Sequence, residues 1–116
     1  MATYRVNDAA VTKARQMIDS HQYDLDAPWE DAAPSTDEAN DKIARDGYDG
    51  YGEWHLGIDT GASEGTKDRY GFPFGDFRRV IRSGLIAAKQ RAAQNDHNSV
   101  ERAADDLLEQ LDSARS

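Results

Sequence analysis

The 116-residue chain contains no cysteine. Disulfides, thiolate zinc sites, iron–sulfur clusters and cysteine nucleophiles are therefore excluded. No apolar run approaches the length that crosses a membrane, and the start, MATYRVNDAAVTKARQ, has no apolar signal core. A cytoplasmic location without a membrane partner is the expectation. Lysine is scarce, with four against ten arginines, and aspartate outnumbers glutamate 16 to six. Either high-salt adaptation or a GC-rich genome gives such a bias, since acidic, lysine-poor surfaces stay soluble in salt. No G-x-S-x-G elbow, Walker loop, G-x-G-x-x-G loop or HExxH pair is present. EF-hand spacing is missing too, although Asp24 and Asp26 lie close together.

What is there is charge, unevenly placed. The net charge of −8 argues against general affinity for nucleic acid. Residues 1–66 carry five basic and 14 acidic side chains. Residues 67–95 reverse this, with seven basic and two acidic, and residues 96–116 return to two basic and six acidic. A basic centre inside acidic flanks implies internal charge matching first and an external anionic partner second.

Apolar periodicity and capping residues predict an all-α fold: one small domain of four to five helices built around a C-terminal antiparallel helical hairpin. The expected helices are about 8–22, 36–46, 63–70, 77–94 and 99–112. Asn7 caps the first, with Val6 and Val11 as a staple, and Ser35 with Glu38 forms a capping box for the second. Gly47 ends the second. Residues 47–62 hold five glycines and read as a turn region. Ser63 or Thr66 opens the short helix ending near Tyr70. Asp76 caps the main helix, whose apolar arc holds Phe77, Ile81, Gly84, Leu85, Ala88 and Ala92. The last helix carries Val100, Ala103, Ala104, Leu107, Leu108 and Leu111 on one stripe.

Three groups of residues carry possible chemistry. Arg78, Arg79, Arg82 and Lys89 form a basic ridge that either meets an anionic partner or pairs with the acidic flanks. His21, His55 and His97 are metal ligands only if they converge. Trp29, Tyr48, Tyr51, Trp54, Tyr70, Phe72 and Phe74 either line a ligand pocket or complete a core short of volume, and the core reading is the commoner outcome.

At YGEWHLGID, KDRYGFPFGDFRRVIRSGLIAAKQRAA and VERAADDLLEQLD the chain resembles a group of short prokaryotic proteins with no assigned activity. They share Y-x-x-WHLG, TK-x-RY-x-F-x-x-GDFRRV and A-x-x-LL-x-x-LD patterns over nearly the full length, and the resemblance implies no functional residue. The C-terminal half also resembles a helical module at the ends of some phage prohead-protease or scaffold polypeptides, through Lys67, Tyr70 and Pro73. The protease part has no counterpart here, so that resemblance implies only an interaction or assembly role.

The expected function is a non-enzymatic protein-interaction or assembly module without metal or cofactor. It contacts a protein partner or a second copy through Tyr70, Phe72, Phe74, Arg78, Arg79 and Arg82. The alternatives are a small-molecule or metal-dependent enzyme using His21, His55 or His97 with carboxylates, and an RNA-binding protein adapted to high salt.

Overall fold

A computed structural model describes residues 3–114 of the chain. Its elements run β1 (Tyr4–Val6), α1 (Asp8–Asp19), β2 (Tyr23–Asp24), α2 (Trp29–Ala32), α3 (Thr36–Gly52) and β3 (His55–Asp59). A 3-10 turn (Lys67–Arg69), β4 (Tyr70–Pro73), β5 (Val80–Ile81), α4 (Arg82–Gln94) and α5 (Asn98–Ala114) complete the order.

The fold is mixed α and β, which corrects both the all-α expectation and the helical-bundle reading. One sheet has the order β1-β3-β4, antiparallel throughout, and a second pairs β2 with β5 in parallel. The glycine-rich segment read as a turn supplies the central strand. Gly57 faces Val6 on one side and Gly71 on the other. A Cβ on Gly57 would lie 2.7 Å from the Phe72 ring and 3.0 Å from the Tyr4 ring. Those two rings pack edge to face at 4.9 Å, so neighbouring aromatics cover the bare strand backbone.

The region 63–70 holds no α-helix. Thr66 donates to the Ser63 carbonyl, only Lys67–Arg69 form a 3-10 turn, and Tyr70 opens β4. The helix expected from residue 77 starts at Arg82. Asp76 does accept two backbone N–H bonds, from Arg78 at 2.9 Å and Arg79 at 2.7 Å, but it closes a turn. Phe77 sits at φ 68 inside that turn, and Val80 and Ile81 then pair with β2. The β-branched pair finds a strand partner before the helix can begin.

Gly47 interrupts α3 at φ 74 and ψ 178, and helix resumes to Gly52. The Ser35–Glu38 capping box is complete, with both reciprocal bonds at 3.1 Å. Asn7 precedes α1 but does not cap it through its side chain. Its buried Nδ2 instead donates to the Gly52 carbonyl at 2.9 Å and the His55 carbonyl at 3.2 Å. Asn7 thereby pins the start of α1 to the segment between α3 and β3.

The core lies between the antiparallel pair α4–α5, helix α1 and the three-stranded sheet. Ala10, Ala14 and Ile18 of α1 meet Val100, Leu107 and Leu111 of α5 and Leu85 of α4 in one cluster with Leu56 and Phe74. Arg82 pairs with Asp112 at 3.0 Å and Lys89 with Asp105 at 2.7 Å across the antiparallel pair α4 and α5.

Candidate functional site

The residues expected to bind a partner divide between core and surface. Phe72 is buried and Phe74 fully so; both belong to the core. Arg79 pairs with Asp24 and Asp76, each at 3.2 Å, and Arg82 lies on Asp112. Arg78 is exposed, and no ion pair joins it to the described residues. Tyr70 is half-buried, with its ring 6.0 Å from those of Tyr51 and His55. The basic ridge is therefore largely matched internally, with Arg78 as its outward cation.

The three histidines lie in different settings. His21 is exposed beside the Tyr23 hydroxyl, its Nδ1 at 3.3 Å. His97 stacks edge-on against Tyr4 at 5.1 Å in the α4–α5 connection. His55 is buried at the start of β3. No group of three histidine or carboxylate side chains among the described residues is placed to hold a metal ion.

The arrangement with chemical content is a hollow of about 160 Å³ at the edge of the core. Its principal walls are Trp29, Tyr51, Trp54, His55, Pro73 and Phe77, with Pro34, Gly75 and two alanines completing it. No Asp, Glu, Lys or Arg lines it. Each wall has a local cause. The second piece of α3 carries Tyr51. The turn after it carries Trp54, and β3 opens with His55. Gly75 fits against the indole, since a Cβ there would lie 2.5 Å from the Trp54 ring and 2.6 Å from the Arg79 carbonyl. The Asp76 turn holds Phe77 in the left-handed region, which non-glycine residues rarely occupy. Its ring lies edge-on to Trp54 at 5.9 Å and 6.1 Å from Tyr51.

Three of the wall residues carry polar side-chain groups. The Trp54 indole is 3% exposed, and its Nε1 has no hydrogen-bond partner. An indole N–H is donor only, and leaving it buried and unpaired costs about 1–3 kcal/mol. His55 Nδ1 lies 2.9 Å from the Tyr51 carbonyl. A carbonyl brings no proton, so Nδ1 carries it and Nε2 is an acceptor. Burial pushes the His55 pKa down to about 4, against a smaller opposing effect of the Tyr51 carbonyl. The ring is neutral at physiological pH. Burial also pushes the Tyr51 hydroxyl up, so it stays protonated. The wall residues are thus uncharged aromatic rings, with polar groups on Trp54, His55 and Tyr51.

Among protein families, curated proteins and solved structures, nothing matches this chain.

The sequence holds a partial signal for the hollow. Tyr51 and Trp54 stand in the aromatic group with two readings, core or pocket, and the structure places them at the boundary between both. Phe77 has no such signal. Its apolar spacing fits a helix, and only the left-handed turn aims it at the indole.

Proposed function

We propose that the protein is a non-enzymatic binding module whose recognition element is the Trp29–Trp54–Phe77 hollow. The observation that carries this is a hollow of about 160 Å³ at the edge of the core, walled by Trp29, Tyr51, Trp54 and Phe77 and lined by no charged side chain. Binding is favoured over catalysis because the histidine in the wall is a poor base. With its pKa lowered to about 4, His55 lies far from the value near 7 that serves proton transfer best. No carboxylate in the lining stands in for it.

Amide and indole NMR spectra recorded against a set of single-ring compounds test this. Ligands of so few atoms bind in the millimolar range, with about 4 kcal/mol of binding free energy. The Trp54 indole N–H and the amides of His55 and Phe77 should shift together. If no compound moves the indole resonance, the reading fails.

A second reading keeps a protein partner or a second copy at the Tyr70–Arg82 stretch. Arg78 favours it, because this arginine is exposed while Arg79 and Arg82 are engaged within the chain. An Arg78→Glu change should then abolish self-association seen by sedimentation without lowering thermal stability. Unaltered sedimentation of both proteins, each associated, would remove Arg78 from the contact.

A further inference from the structure

We propose that residues 36–46, the first piece of α3, swing as a rigid lid over the hollow, with Gly47 as the hinge. The use of this lid as a gate rests on the hollow being a binding site; the motion itself does not. The two pieces of α3 are fastened very differently. After Gly47 the chain is tied to the body. The Asn7 side chain donates to the Gly52 carbonyl at 2.9 Å, His55 Nδ1 donates to the Tyr51 carbonyl at 2.9 Å, and Tyr51 and Gly52 are buried. Before Gly47 no residue of the helix is buried. Ala39, Lys42 and Ile43 are half-buried, and Ile43 lies outside the set of side chains packed on the core. Among the described residues, no hydrogen bond or ion pair joins residues 36–46 to the body. The polar bonds of this piece are its own: the Ser35–Glu38 capping box and the Lys42–Asp46 pair. A helix that caps and pairs within itself keeps its shape when it moves.

The hinge has room to turn. Gly47 sits at φ 74 and ψ 178, and no atom lies within 4 Å of where its Cβ would be. Its dihedrals can therefore change without a clash, as a hinge requires. Just beyond it, Asp46 folds back over Gly50, where a Cβ would lie 2.5 Å from the Asp46 Cβ. The position of the piece gives the motion a consequence. Ala39 lines the hollow, with Ala33 and Pro34 at the leading end of the same segment. Across the hollow stand Gly75 and Phe77 of the Asp76 turn. Beside it, Glu38, Asp41 and Arg45 face Asp76 and Arg78 over a crevice that no ion pair bridges among the described residues. The floor of the hollow, at Trp54 and His55, is buried and fixed, so the roof is the wall that can let a guest in.

The experiment uses the full chain, which has no cysteine, so a thiol introduced by Ala44→Cys carries a nitroxide label alone. Ala44 is exposed and lines the crevice with Phe77 and Arg78. Paramagnetic broadening of the Phe77 and Arg78 amides then reads how close the lid lies. Gly50→Ala is the perturbation, because the only atoms its Cβ meets belong to Asp46, at the end of the lid. The broadening should fall at least twofold in that variant, with the Leu107 and Leu108 amides unmoved. Unchanged broadening would overturn the hinge. In the unlabelled native chain, relaxation dispersion reads motion on the microsecond to millisecond scale. Residues 36–46 and Phe77 should share one exchange rate while α5 stays flat. Flat profiles over 36–46 would overturn the motion, and random-coil Cα shifts in the exchanging state would replace the lid by local melting. Toluene filling the hollow should suppress that exchange at least twofold, because Ala39 touches a guest only when the lid is down. Exchange unaffected by bound toluene would overturn the gating. A hollow that takes up no single-ring compound would overturn the binding reading and the gating with it, while the motion is read without any guest.

Discussion

Acidification should destabilise this protein through His55 before most carboxylates titrate. The ring is 5% exposed, faces Tyr51 at 4.4 Å and Tyr70 at 6.0 Å, and is kept neutral by burial, against the smaller opposing effect of its Nδ1 bond to the Tyr51 carbonyl. Burial lowers its folded-state pKa from 6.5 to about 4. The unfolded chain therefore takes up the proton first. Stability from this group is fully present above pH 6.5 and is lost as pH falls toward 4. Within that window each pH unit removes about 1.4 kcal/mol, so the whole interval removes roughly 3 kcal/mol. That is a large share of the ~5–15 kcal/mol that holds a typical domain together. Urea unfolding at half-unit steps from pH 7.5 to 4.5, with wild type beside His55→Gln, measures it. The variant cannot titrate there, so the difference between the two curves isolates the imidazole from the acidic side chains both share. The wild type should lose stability relative to the variant steadily below pH 6.5. Parallel curves would refute the reasoning. An imidazole resonance titrating near 6.5 in the folded state would do so independently, even if the variant folds poorly.

Three substitutions test the packing. Gly84→Ala places a Cβ 2.8 Å from the Phe74 carbonyl oxygen and 2.8 Å from the Trp29 ring; chemical unfolding should show a loss of about 1–3 kcal/mol. Gly47→Ala meets no atom within 4 Å, but it forces an L residue to φ 74 and ψ 178. The loss, about 1–3 kcal/mol, is then backbone strain alone, and a thermal midpoint equal to wild type would contradict it. Ser35→Ala removes the capping-box acceptor for the Glu38 N–H; about 1 kcal/mol should go, with faster amide exchange in the first turn of α3.

The helices with one-sided apolar stripes are legible in the sequence. Ala10, Ala14, Met17 and Ile18 of α1, and Val100, Ala104, Leu107, Leu108 and Leu111 of α5, are buried as their spacing implies, whereas Val11 and Ala103 on the same stripes are half-buried and His21, on the arc expected of the first helix, is exposed. The local chemistry of Ser35 and Glu38 is equally plain. Residues 4–6 read as extended and form β1, but the other strands carry no signal of their own. β3 lies in a glycine-rich run, and what makes it a strand is the cover that Tyr4 and Phe72 give Gly57 from both neighbours. β4 contains a proline, and Phe72 within it sits at φ 63. Asp76 shows the ambiguity most clearly. The same aspartate, accepting the same two backbone bonds, begins a helix or closes a turn according to the pairing of the residues after it, and here β2 claims Val80 and Ile81. The hollow is hidden for the same reason: Trp54 and Phe77 meet only once that turn has formed.

The parallel pairing of β2 with β5 also bears on how the chain is made. Tyr23 and Asp24 wait for Val80 and Ile81, and the apolar face of α1 packs against α5 at the far end of the sequence. An N-terminal half emerging from the ribosome therefore has exposed apolar residues and nothing to cover them. Contacts this distant in sequence are slow to close. The growing chain cannot close this core until α5 has left the ribosome, and α5 is the element whose arrival lets the rest assemble.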